Sequence, residues 1–142
     1  MNQVELESIE PSEEQIKRLY DLLARRVHKI SSKDASYSKH EQFVRSHPYR
    51  YWFLIKVSDN YVGTFYVSKE NTIGINVSDE HTSLVVTFII NFVKKNFKPL
   101  PEIPSVRSDK FAINVPPSNV HLASALKAIG AKIAQVTYFL PC

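Results

Sequence analysis

The hydrophobic period of this chain changes twice, and the two changes leave few folds open. From Ser12 to Pro48 apolar residues recur at helical spacing, with Ile16, Leu19, Leu22 and Leu23 on one face. From Tyr49 to Val77 the pattern turns aromatic and β-branched with a period near two, broken by the turn clusters Ser58-Asp59-Asn60 and Ser68-Lys69-Glu70-Asn71. After His81 the period is helical again. A strand meander bracketed by helices excludes an all-α bundle. It also differs from the strand–helix alternation of a doubly wound parallel sheet.

Val4 to Ile9 predicts a first strand. Ser12 is placed to cap a helix, with Gln15 at the capping-box position and Glu13 and Glu14 in the first turn; Arg25, Arg26 and Lys29 suit its end. A second capping box, Ser38-Lys39-His40-Glu41, predicts a short helix that stops before Pro48. Tyr49–Val57, Tyr61–Val67 and Thr72–Val77 read as an antiparallel meander. His81–Asn96 is a helix apolar nearly all round, and Phe97–Lys110, with three prolines, an extended loop. Phe111–Val115 predicts a strand, Ser118–Ile129 a helix, and Lys132–Leu140 a closing strand carrying Ile133, Val136, Tyr138 and Leu140. The expectation is a single α/β (α+β) domain over residues 1–142. Its sheet is mixed, mostly antiparallel and twisted, with about six or seven strands and about four flanking helices.

With 142 residues, 44% of them hydrophobic, the chain can bury one core. Its net charge of +4 is spread over the sequence, with doublets such as Lys94-Lys95 but no basic block. That argues against a nucleic-acid partner and suits a small anionic ligand. Cys142 is the single cysteine, so no intrachain disulfide can form and a reducing compartment fits. Met1–Glu14 lacks the apolar core of a signal peptide, and the apolar run Leu84–Val93 is too short to span a bilayer. A cytoplasmic protein without a membrane partner is expected. The five histidines form no metal-binding spacing, and no Walker loop or dinucleotide fingerprint is present.

The C-terminal run starting Asn114-Val-Pro-Pro-Ser-Asn119 places one Asn on a strand and another at the mouth of a helix that Gly130 stops. Together with Ser46–Ile55, Val62-Gly63-Thr-Phe-Tyr66 and Ile73-Gly74-Ile75, it resembles the GNAT superfamily of N-acyltransferases. Within that superfamily it looks most like the branch acting on amino groups of nucleotide-linked amino sugars. The resemblance covers nearly the whole chain and implies a sheet that splays open after its fourth strand. Acyl-CoA, as acetyl-CoA or another acyl-CoA, would lie in the gap, and a small-molecule amine would approach from the opposite face. Main-chain groups of Ile75, Asn76 and Val77 would polarise the thioester and bind the pantetheine arm, and Asn114 and Asn119 would face that arm.

The family's pyrophosphate loop, Gln/Arg-x-x-Gly-x-Gly/Ala, falls on Thr82-Ser83-Leu84-Val85-Val86-Thr87. Both glycine positions hold β-branched residues here, and Val85 is expected to crowd a phosphate, leaving backbone amides and the Thr82 and Ser83 hydroxyls to bind it. The family's tyrosine acid falls at Leu126; Tyr138 is a substitute, and His81 beside the loop is a candidate base. Asn119 serves equally as a plain helix cap, Gly130 as a plain C-cap, and His81 as a surface loop residue. Two classes of function follow: an N-acyltransferase, or a catalytically inactive GNAT-fold module that binds a ligand or partner. A homodimer through the edge of the last strand is a further expectation.

Overall fold

The computed structural model describes residues 3–25 and 36–141. Arg26, Lys29 and Cys142, named above, lie outside the described residues. The chain runs β1 (Val4–Ser8), α1 (Glu13–Ala24), α2 (Tyr37–Arg45), β2 (Tyr51–Val57), β3 (Asn60–Val67), β4 (Thr72–Val77), α3 (Thr82–Asn96), β5 (Ala112–Ile113) and α4 (Val120–Ala128). A single 3-10 turn at Asp79–His81 leads straight into α3.

The five strands lie in one sheet in sequence order, antiparallel from β1 to β4 and parallel between β4 and β5. Ser58 and Asp59 both take positive φ (50° and 68°), as a two-residue hairpin turn between β2 and β3 demands. Alternation along β2 then sorts the two faces. Trp52 and Leu54 join Ile16, Leu19 and Leu22 of α1, whereas Ile55 and Val57 join Phe65, Val67 and Ile73 beneath α3.

α3 is rich in β-branched residues, which are mediocre helix formers. Val85, Ile89 and Val93 recur every four residues and are fully buried against the sheet. Each such burial contributes about 1.5–3 kcal/mol. That outweighs propensity losses of at most ~0.7 kcal/mol per residue. Val86 and Ile90 turn instead toward Leu122, Ala125 and Leu126 of α4.

Three expectations are corrected. The sheet has five strands, not six or seven, because Lys132–Leu140 forms no strand among the described residues. Gly130, at φ +90°, ends α4, with the amides of Gly130 and Ala131 donating to the carbonyls of Lys127 and Leu126. The chain beyond it leaves the body. β5 is confined to two residues, and Pro116 and Pro117 follow closely after it. Finally, α2 is capped by Ser36, whose Oγ accepts from the Lys39 amide, and not by Ser38. The earlier start brings Tyr37 edge-on to Tyr20 of α1, with ring centroids 5.0 Å apart.

Candidate functional site

The distinctive feature of the sheet is the seam between its last two strands. β4 and β5 pair only at Thr72↔Ala112 and Ile73↔Ile113, so β4 runs on to Val77 alone on that side. Two hydrogen bonds set the phase of its main chain. The Ser68 amide donates to the Thr72 carbonyl, and the Ser78 amide to the Val62 carbonyl. Even-numbered residues of β4 therefore bond to β3, and the main-chain groups of odd-numbered residues face the other edge. Those of Ile75 and Val77 look into the space past the end of the β4–β5 ladder.

α3 and α4 pack together over Ile75, Ile113 and Val115, so both helices flank this seam. α4 begins with Asn119, a buried residue whose Oδ1 accepts from the Leu122 amide at 3.1 Å. The capping role of Asn119 is thus the one the structure displays. Asn114 follows β5 directly and is exposed.

The mouth of α3 differs from what the sequence suggested. Val85 is fully buried in the main core and Val86 between α3 and α4, so neither side chain stands at the helix entrance. The expectation that Val85 crowds a phosphate is corrected: glycine there would remove a core side chain and leave the mouth as it is. Ser83, Leu84 and Thr87 are the exposed residues of these turns. The Thr82 hydroxyl, expected to be a phosphate donor, is turned inward and donates to the Ser78 carbonyl at 3.1 Å. Thr87 likewise donates to Ser83.

Two carboxylates stand just ahead of the helix, and the sequence alone reads Asp79 as an ordinary turn residue. Asp79 and Glu80 form the 3-10 turn with His81. Asp79 Oδ2 lies 4.0 Å from Nε2 of His121 in the first turn of α4, so the two helix mouths are neighbours. A negative field at a helix N-terminus stabilises the helix and opposes a bound phosphate. Their spacing from the strand end was visible in the sequence; the contact to His121 was not.

His81 directs Nδ1 to the Ser78 hydroxyl at 2.8 Å and lies 3.8 Å from Glu80. It helps to line an open cavity of about 620 Å³ on the α1 side of the sheet, shared with Arg25, Tyr61, Gly63, Asn76 and Asp79. The three β4 residues are thereby divided. The side chains of Ile75 and Val77 pack toward α3, and Asn76 opens into the cavity opposite. Gly63 is what lets β3 and β4 meet there, since a Cβ would collide with the Asn76 carbonyl oxygen. Tyr138 is 84% exposed on the segment after α4 and is not brought to the seam.

One residue that sequence reading treated as an ordinary turn proves central. Asn71 is fully buried at φ +64°. Its Nδ2 donates to the carbonyls of Leu100 (2.9 Å) and Ser108 (2.7 Å), and its Oδ1 accepts from the Leu100 amide (2.7 Å). Its own carbonyl accepts from Ala112, the first residue of β5. Asn71 holds the 97–110 loop so that β5 arrives beside the start of β4. Among the described residues no cluster of His, Cys, Asp and Glu could hold a metal, and no helix is long and apolar enough to cross a membrane.

No protein-family model matches the sequence, and neither does any curated protein. Solved structures do match over nearly the full chain. AAC(6')-Iy, in complex with the bisubstrate analogue CoA-S-monomethyl-acetylneamine, superposes with a TM-score of 0.61 at 10% identity, covering 99% of this chain and 98% of that one. The fold is GNAT-like. A ribosomal-protein-alanine N-acetyltransferase from Brucella melitensis biovar Abortus 2308 gives 0.59 at 13% identity, with 99% of each chain covered. The aminoglycoside acetyltransferase meta-AAC0020 from an uncultured soil metagenomic sample, in complex with sisomicin, gives 0.55 at 12% identity, with 98% and 95% covered.

Proposed function

We propose that this chain is a GNAT-superfamily N-acyltransferase that moves an acyl group, typically acetyl, from acyl-CoA to the amine of a small molecule of the amino-sugar class. The observation that carries the reading is the seam: main-chain groups of Ile75 and Val77 lie past the β4–β5 ladder, between two helix mouths. Three of the structures that share the fold are acetyltransferases, one of them solved with a CoA bisubstrate analogue. In such a reaction the amine nitrogen attacks the thioester carbonyl carbon, the carbon–sulfur bond breaks, and the thiolate leaves. A strand amide at Ile75 or Val77 serves as donor to the developing oxyanion. His81, between Ser78 and the Asn76 side of the cavity, is the candidate for taking the ammonium proton.

The carboxylates of Asp79 and Glu80 favour a second reading, a GNAT-fold module that binds a ligand or partner without turnover. Thermal melting with acetyl-CoA, paired with detection of free CoA thiol in the presence of amino-sugar acceptors, separates the two. A raised midpoint and acceptor-dependent thiol release support the transferase, with a Kd above micromolar in keeping with the acidic mouth. Neither effect at millimolar acetyl-CoA would leave the binding module.

A further inference from the structure

The segment after α4 is chemically out of place. Ile133, Val136, Tyr138, Phe139 and Leu140 are 67–88% exposed, and every described residue from Ala131 onward is exposed. Residues 131–140 contain a single charge, Lys132, and no proline. That composition belongs to a strand buried on both faces, and left in water it is an aggregation hazard.

The same chain carries a matching vacancy. β5 is the edge of the sheet. The Ala112 amide bonds back to Asn71, so the main-chain groups of Phe111, Ile113 and Val115 point to the open side. Val120 at the start of α4 and Ile129 at its C-cap are further exposed apolar residues. Each copy thus holds one unpaired strand and one unpaired edge. A foreign partner would satisfy one of the two, whereas a second copy satisfies both at once and closes the assembly on a two-fold axis.

We propose that the chain dimerises by reciprocal exchange of its C-terminal segment: residues 132–140 of each copy pair as a strand along the outer edge of β5 of the other. Gly130, at φ +90° with open space where a Cβ would be, is the point from which the segment swings out. Ten large apolar side chains from two segments would remove on the order of 1,200 Å² from water, the lower range for a specific stable interface. The exchange also carries Tyr138 from solvent to the partner's β5, beside the seam.

Sedimentation equilibrium at about 50 µM tests this independently of any acyl transfer. The intact chain is expected at twice its 16.3 kDa mass. Tyr138→Lys combined with Phe139→Lys, at positions that support nothing within one copy, is expected to sediment as a folded monomer that keeps the helical far-UV signal and the cooperative thermal unfolding of the wild type. A complementary mixture joins chains carrying Ile113→Cys with chains carrying Val136→Cys, both with Cys142→Ser. Oxidation should then give a disulfide-linked heterodimer, because neither variant can bridge within itself. A monomeric wild type, open-ended polymers, a dimer that survives both lysines, or failure of the mixed pair to cross-link would each overturn the exchange.

Discussion

Replacing Asn71 tests how the seam is positioned. Three hydrogen bonds of 2.7–2.9 Å join its buried amide to Leu100 and Ser108. At about 0.5–1.5 kcal/mol each they total roughly 1.5–4.5 kcal/mol, and losing them leaves main-chain groups of the loop without a partner. Asn71→Ala also keeps a Cβ at φ +64° without the short polar side chain that makes this region tolerable for Asn, which costs about 1 kcal/mol more. Asn71→Gly loses the same bonds but keeps that backbone conformation easily. Asn71→Asp retains an acceptor for Leu100 but turns carboxylate oxygens toward two carbonyls. Urea unfolding at 25 °C should therefore rank the variants wild type, Gly, Ala, Asp, with Gly about 1 kcal/mol above Ala and Ala about 3–5 kcal/mol below wild type. Under the proposed function, acetyl-CoA affinity should fall in folded Asn71→Gly as well, since β5 is no longer held at the start of β4. An Ala variant within 1 kcal/mol of wild type, or an Asp variant as stable as Gly, would refute the assignment of these bonds.

Gly63→Ala should abolish folding by circular dichroism, because its Cβ would strike the Asn76 main chain. Gly74→Ala should fold with reduced stability, since the atoms it meets are the far end of the Tyr66 ring, which can leave its stack on Tyr49. The Glu7 carboxyl is held below its ordinary 4.5, chiefly by the Gln15 amide and further by the Tyr61 hydroxyl. A depressed folded pKa gives stability that is full above the unfolded value and lost as pH falls through the folded one, so between pH 5 and 3 Glu7→Gln should show a shallower loss of denaturant midpoint than wild type. Asp79→Asn with Glu80→Gln should tighten acetyl-CoA roughly 2–10-fold at low salt by calorimetry, and an unchanged affinity would show that these carboxylates do not face the ligand.

Much of this architecture was legible because it depends on local pattern. Ser12 caps α1 as its spacing with Gln15 suggests, and the period-two alternation of β2 sorts Trp52 and Leu54 from Ile55 and Val57. Pattern failed where a distant contact decides. Ser38 carries the better capping box, yet Tyr20 packing on Tyr37 starts the helix at Ser36. Val85 occupies a motif position, and only the direction of α3 over the sheet shows that its side chain belongs to the core. Asn71 reads as a turn residue, because its partners lie 29 and 37 positions away. Lys132–Leu140 has the composition of a strand, but pairing needs an edge, and which edge it meets is not a property of the segment itself.

The two-pair ladder between β4 and β5 also bears on the order of assembly. β2, β3 and β4 join through short turns and can form as soon as they are made. β5 gains its place only after the 97–110 loop has closed on Asn71, and α4 only after α3 is seated. During synthesis the meander is therefore complete while the last strand, helix and tail are still undocked. Two chains emerging side by side would meet with their meanders formed and their C-terminal segments uncommitted, which makes assembly during translation the expected route to an exchanged pair.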